Sequence, residues 1–291
     1  MAIKLLAVIV VLALAQGLPD LARMRDFSRL RVWLAVLAQV HGGAQTVLAI
    51  GIPVFLCALL QWGLHGWLYG LLSFAFALCV LWFSWGPRDL GEDIDAIIKA
   101  PDSDRRIEAA QKLRVDDNAP PLAFDAPSLV DAAFGAALRR WFGVLFWFLA
   151  LGPCGALLYR LVQLLGRDGA FASFQSEQGR EWALRGASLL DWFPAHLMAL
   201  ALAVASDFDA VLHSWRGYHD SQGKGYFSLD LGFLSAIARA SVDADVIAGD
   251  GYAEDVNDPL VELSDARHLL VRVLIVWLAV AALLVLGGVG R

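Results

Sequence analysis

The chain has 291 residues, of which 58% are hydrophobic and only 18% charged, with a formal net charge of −6 at pH 7. Ordinary soluble domains carry about 25% charged residues, so the composition excludes a simple soluble fold and points to the lipid bilayer as the first partner. The acidic balance and the lack of a long Lys/Arg run exclude nucleic-acid binding.

The apolar runs predict an all-α, polytopic helical membrane protein with about five to six membrane helices and small cytoplasmic helical loops. Residues 3–16 form a short apolar run. The Gln16-Gly17-Leu18-Pro19 turn and the basic amphipathic stretch after it favour an uncleaved anchor or half-buried helix over a signal peptide. Residues 46–62 and 67–85 follow, joined by Gly63-Leu64-His65-Gly66, a link short enough for a helical hairpin. Together these make an N-terminal membrane unit, 1–85. Residues 142–165 are apolar as far as Arg160 and long enough to cross a ~30 Å hydrocarbon core. A weaker run, 192–212, completes a membrane core over 141–212, and 269–287 forms a last span within 268–291.

Two polar regions separate these spans. Region 86–140 is both acidic and basic, opens on the turn-and-helix signal Gly86-Pro87-Arg88-Asp89-Leu90, and carries helical spacing with an Asp cap at 102–114. Region 213–267 mixes Gly and Asp with one helical run at 231–242. Segments 20–45, 86–141 and 213–272 hold four, eight and five Lys and Arg. The other six are Lys4, Arg160, Arg167, Arg180, Arg185 and Arg291. This asymmetry predicts that the three richer segments, loop 86–140 included, are cytoplasmic.

No residue pattern calls for a cofactor, a metal or a catalytic set. Asp207, Asp209, His213 and His219-Asp220 lack a strong metal motif and read as polar residues ending a membrane helix. The loop at Gly217–Gly225 fails the phosphate-loop pattern on spacing and on the metal-ligating hydroxyl. Cys57, Cys79 and Cys154 lie in apolar runs and read as packing residues. Gly66-Trp67-Leu68-Tyr69-Gly70 fits small-xxx-small helix packing. The ionisable residues nearest the membrane interior are Arg160 and Asp191, which either pair with each other or reach the interface separately.

Three stretches carry a family resemblance. They are Arg140-Trp141-Phe142-Gly143-Val144-Leu145-Phe146-Trp147-Phe148, Leu151-Gly152-Pro153-Cys154-Gly155-Ala156-Leu157-Leu158-Tyr159-Arg160, and Leu190-Asp191-Trp192-Phe193-Pro194-Ala195. In this order they resemble the AmpE family of the AmpE/CobD superfamily, as does Gly86-Pro87-Arg88-Asp89-Leu90. The resemblance covers about residues 80–215. It implies a multi-pass protein of the bacterial inner membrane, a regulator tied to peptidoglycan recycling and β-lactamase induction, with a cytoplasmic anhydro-muramyl amidase pathway as its partner. Arg160, Tyr159, Asp191, Trp192, Pro194, Gly152, Pro153, Gly155, Arg88 and Asp89 are the candidate functional or packing residues. The alternatives are a small-molecule carrier, or a membrane-embedded synthase or transferase related to the CobD/CbiB adenosylcobinamide-phosphate synthases. That branch carries Glu-Asn-x-x-Asp-Gly where this chain has Gly135-Ala136-Ala137-Leu138-Arg139-Arg140, and Asn where it has Gln163. The expected reading is therefore a regulator acting through a partner or ligand, without enzyme activity.

Overall fold

The computed structural model describes residues 2–17, 27–40, 42–64, 70–86, 89–114, 116–117, 119–223, 225, 227–248 and 258–288. Arg88 and most of the Gly66–Gly70 motif lie outside these residues. The described residues form helices and no strands: α1 (Ala2–Gly17), α2 (Ser28–Val36), α3 (Gly43–Gly63), α4 (Leu71–Ser84), α5 (Leu90–Lys99), α6 (Ser103–Ala110), α7 (Ala126–Ala137), α8 (Gly143–Leu151), α9 (Pro153–Arg167), α10 (Gly169–Ala172), α11 (Glu177–Ala205), α12 (Phe208–Gln222), α13 (Gly232–Ala248) and α14 (Pro259–Leu286). A π-helical turn, Leu138–Phe142, joins α7 to α8 without a break.

Much of the acidic excess goes into starting these helices. Asp89, Asp102, Asp125, Asp168, Asp207 and Asp258 each sit at an N-cap and accept a hydrogen bond from a first-turn N–H. Those amides have no partner within the helix, and a carboxylate there also complements the helix dipole.

Four helical stretches are long and apolar enough to cross a membrane: Gly43–Gly63, Ala126–Leu151, Glu177–Ala205 and Pro259–Leu286, with α1 and α4 as shorter apolar helices. Phe55, Leu59 and Trp62 on α3, and Ile275, Leu283 and Leu286 on α14, stand exposed on the outside. In water such a surface would drive aggregation, whereas in hydrocarbon it is the ordinary outer face of a membrane protein.

The expected span 142–165 does not cross as one helix. α8 ends at Leu151, Gly152 takes φ +79°, and α9 starts on Pro153. A glycine free to adopt positive φ followed by a proline at the first helical position is the combination that lets a chain stop and restart. The two helices then double back on each other. A Cβ on Gly143 would meet the ring of Tyr159, and one on Gly155 would lie 2.3 Å from the Trp147 carbonyl oxygen. On a straight helix residues 143 and 159 would be roughly 24 Å apart at 1.5 Å per residue. The Gln61 side chain straps the tip, donating to the Leu151 carbonyl at 3.3 Å and accepting from the Cys154 N–H at 3.2 Å. The Lys4 ammonium donates to Leu149 O at 3.0 Å. The stretch that is long and apolar enough to cross is instead Ala126–Leu151, which begins before the run of highest hydropathy.

This hairpin changes which basic residues lie together. It returns Arg160 and Arg167 to the face that holds Arg139 and Arg140. The start of α11, with Arg180 and Arg185, lies beside the start of α3, where Trp182 packs on Gly43 and Gln45 donates to Phe174 O at 3.1 Å. Four of the six basic residues expected on the opposite side thus join the basic segments. The run 192–212 is also divided: α11 ends at Ala205 and Asp207 caps a separate α12.

Two outcomes test this fold. Gly155→Ala places a methyl against the backbone carbonyl of Trp147 and should lower the melting temperature in detergent by the equivalent of about 1–3 kcal/mol. Gly51→Ala, whose new methyl meets nothing within 4 Å, should be tolerated. At the polar end, Asp95 bonds Lys99 at 2.9 Å and also pairs with Arg267 of α14. The Lys99 hydrogen bond first, and then the Arg267 charge, hold its carboxyl below the usual value. A folded pKa below the unfolded one stabilises above about pH 4 and loses that contribution as the pH falls through it. Asp95→Asn should therefore flatten the pH dependence of the melting temperature below about pH 4 while lowering stability at pH 7 only slightly.

Candidate functional site

The π-helical turn sets the site. An extra residue per turn rotates successive side chains relative to an α-helix, and such turns recur at functional sites. Here Arg139 and Arg140 both line one cavity of about 530 Å3, together with Lys112, Arg114, Arg160 and Arg167. The cavity falls in the size range of small-molecule sites. Its acidic side chains are already engaged: Asp168 caps α10, and Asp117 accepts from the Gly169 N–H at 3.0 Å. The basin is left with a surplus of positive charge.

Asp191 holds the basin's inner wall. Its side chain is fully buried, so its charge must be compensated inside the protein. Tyr159 Oη donates to Asp191 Oδ1 at 2.7 Å and Gln163 Nε2 to the same oxygen at 2.6 Å. Arg167 Nη2 donates to Oδ2 at 3.1 Å, and Arg139 Nε stands 3.4 Å from that oxygen. Arg167 Nε also donates to Gln163 Oε1 at 3.1 Å. Tyr159, Gln163 and Arg167 follow at i, i+4 and i+8, so one face of α9 presents all three to α11. One carboxylate thereby orients two guanidinium groups. The cations set against Asp191 are Arg167 and Arg139. Arg160, the candidate partner, instead has its guanidinium 6.0 Å over the Phe27 ring while lining the basin.

The outer wall is fixed from the polar helices. Arg140 donates to Asp93 of α5 at 2.6 Å and to the Lys112 carbonyl at 2.7 Å. Arg114 donates to the carbonyls of Asp117, at 2.9 Å, and Ala119. Backbone carbonyls hold the guanidinium in place without cancelling its charge.

The sequence-predicted residues divide by place. Arg160 lines the basin, and Tyr159 and Asp191, bonded to each other, lie behind its wall, where Asp191 also meets the lining Gln163 and Arg167. Gly152, Pro153 and Gly155 build the hairpin tip that returns α9 to the basin. Pro194 lacks the N–H that would bond Leu190 O, and Trp147 Nε1 takes that carbonyl at 3.0 Å. Trp192 packs edge-on to Phe193 beside this kink. Asp89 caps α5 and is not part of the basin wall. Sequence reasoning missed Arg139, Gln163, Arg167, Lys112 and Arg114 as site residues. The 159–163–167 spacing was the available signal. Among the described residues, no three His, Cys, Asp or Glu side chains cluster as a metal site.

Asp191→Asn keeps the shape but leaves Arg139 and Arg167 without their counter-charge. It should destabilise the protein by about 3–5 kcal/mol, whereas Tyr159→Phe should cost about 1 kcal/mol. Equal melting temperatures for wild type and Asp191→Asn would contradict this assignment.

The comparisons with known proteins agree with a membrane protein of this kind. No family model matches the chain, and no solved structure matches it. The chain is 27% identical over 173 residues to the Cobalamin biosynthesis protein CobD of Stutzerimonas stutzeri (strain A1501). The match covers 57% of this chain and 57% of that protein, so the chain spans less than two thirds of its relative's length. The similarity is a distant one, to a CobD-like protein, carried on a helical membrane fold.

Proposed function

We propose that the protein is a membrane-embedded, CobD-like protein that recognises a phosphate-bearing substrate in the cationic basin, in a synthase or transferase role related to adenosylcobinamide-phosphate synthase. One observation carries the reading: six basic side chains line one cavity whose two acids are spent on backbone amides. Guanidinium groups held by carboxylates and carbonyls before a ligand arrives bind phosphate oxygens in bidentate fashion and resist charge build-up during group transfer. The similarity to CobD supports this class of role over the other candidates. The basic residues gathered on the basin's side support a cytoplasmic, inner-membrane orientation for it, with loop 86–140 on the same side.

A second reading has its own observation. Gly135, Ala136 and Arg139 stand where the resembled synthase branch carries its acid, amide and second acid, which favours binding over acid/base chemistry. On that reading the basin senses a phosphorylated or carboxylated ligand for a regulator of β-lactamase induction linked to peptidoglycan recycling. Deleting the gene would then change the induction ratio, and an unchanged ratio would remove this reading.

The test of the shared claim is direct. Purified protein in detergent is titrated with inorganic phosphate, with chloride matched for ionic strength. Phosphate at 100 times its Kd should stabilise the fold by about 2.7 kcal/mol. Lys112→Ala and Arg160→Ala should remove most of that shift. A shift equal to that of chloride, or one unaffected by both substitutions, would overturn the proposal.

A further inference from the structure

A second cavity opens beside the basin. It measures about 510 Å3, lies between Asp116 and residues 119–122, α7 and the start of α13, and shares Arg114 and Arg139 with the first. The π-helical turn explains the sharing: Leu138 lines the second cavity, Arg140 the first and Arg139 both. The two spaces are therefore neighbouring compartments with an arginine wall between them.

Their chemistry differs. The second cavity has walls from Leu122, Phe134, Leu138, Leu231 and Leu234. Three acids line it, Asp116, Asp131 and Asp230. Asp131 pairs with Arg239 at 3.3 Å, and Asp230 accepts from Tyr218 Oη at 2.9 Å and from the Gly232 N–H at 3.1 Å. The Asp131 oxygen that faces Arg239 is Oδ1, and the hydroxyl-bearing Ser128 and Ser235 line the same space. A serine hydroxyl both donates and accepts a hydrogen bond, so these two can meet a hydroxyl on a ligand. The space thus suits an uncharged body with apolar faces and a hydroxyl donor, and it offers no place for a second anion.

We infer that the second cavity is the subsite for the uncharged, hydroxyl-bearing body of a phosphate ester whose phosphate sits in the basin, with Arg139 and Arg114 contacting the junction. This rests on the basin reading above and extends it from a bare anion to a class of organic phosphate. The ligand is a soluble one. The exposed apolar faces of α3 and of the C-terminal half of α14, where acyl chains would lie, line neither cavity.

The experiment compares inorganic phosphate with adenosine 5′-monophosphate, a phosphate ester with an uncharged, hydroxyl-bearing body, by titration calorimetry on the detergent-solubilised full chain. The nucleotide should bind at least tenfold tighter than phosphate. Ser235→Trp, and independently Ser128→Phe, fill the second cavity. Each should bring the nucleotide down to the affinity of phosphate while leaving phosphate binding unchanged, which also shows that the variant is folded. Arg160→Ala should weaken both ligands. If phosphate binds and the nucleotide binds no tighter, the subsite is overturned and the basin stands. If the nucleotide is tighter but neither filling substitution weakens it, the body lies elsewhere and the subsite is again overturned. If neither ligand binds, the basin reading itself fails.

Discussion

A carboxylate shut away from solvent must find its compensation inside the protein, and Asp191 imposes that constraint on the rest of this structure. Burying an unpaired charge costs several kcal/mol. Asp191 escapes that cost through two hydrogen bonds from α9 and two guanidinium groups, one from α9 and one from the π-helical turn. The arrangement works in both directions. The carboxylate fixes Arg139 and Arg167, and those cations make a charge tolerable at the middle of α11. A basin of six basic residues would otherwise repel itself apart. Asp191 on the inside and Asp93 on the outside pull it together while leaving a surplus of positive charge facing the cavity.

Two local departures from regular helix make this geometry available. Gly152 and Pro153 fold α9 back along α8, so that residues more than twenty positions apart in sequence meet on one side. The π-helical turn at Leu138–Phe142 directs consecutive arginines into adjoining spaces. Close packing fixes the hairpin: Gly143 gives room to Tyr159, and Gly155 lets its own backbone approach Trp147. Pro194 adds a third departure, and Trp147 answers the carbonyl that it frees. Small residues and prolines in membrane helices are tolerated where neighbouring groups satisfy the exposed backbone in this way.

The helical class, most helix positions and part of the site were legible in the sequence. Apolar run length located α1, α3, α4 and the end of α14, a turn signal before an acidic helix start marked α5, and an Asp cap marked α6. Tyr159, Arg160 and Asp191 were singled out by their motif context; Arg160 lines the basin, and Tyr159 and Asp191 bond to each other behind it. The hairpin was not legible, because 142–165 satisfies the length criterion for a span whether or not it turns. Nothing in composition distinguishes a Gly-Pro kink from a Gly-Pro reversal. The difference lies in a positive φ and in a partner side chain, Gln61, ninety positions away. Arg139 and Arg167 were missed for the same reason, since their neighbourhood exists only once the chain doubles back. Arg160 was a candidate partner for Asp191 when 142–165 was read as one straight helix, beside the alternative that each reaches the interface separately, whereas the face of α9 that meets α11 carries Tyr159, Gln163 and Arg167.

The central claim is that the chain reverses at Gly152 and so gathers its basic residues into one basin. It is tested most directly by a distance. Spin labels on Lys112 and Asp168, in a background without the three natural cysteines and with the protein in lipid nanodiscs, report whether the two flanks of 142–165 share a side. Both residues line the same cavity, so the account predicts a separation within about 20 Å, less than the ~30 Å hydrocarbon core. A distance distribution centred beyond that thickness would mean that residues 142–165 cross the bilayer as one helix. The basin, and the function proposed for it, would then not exist.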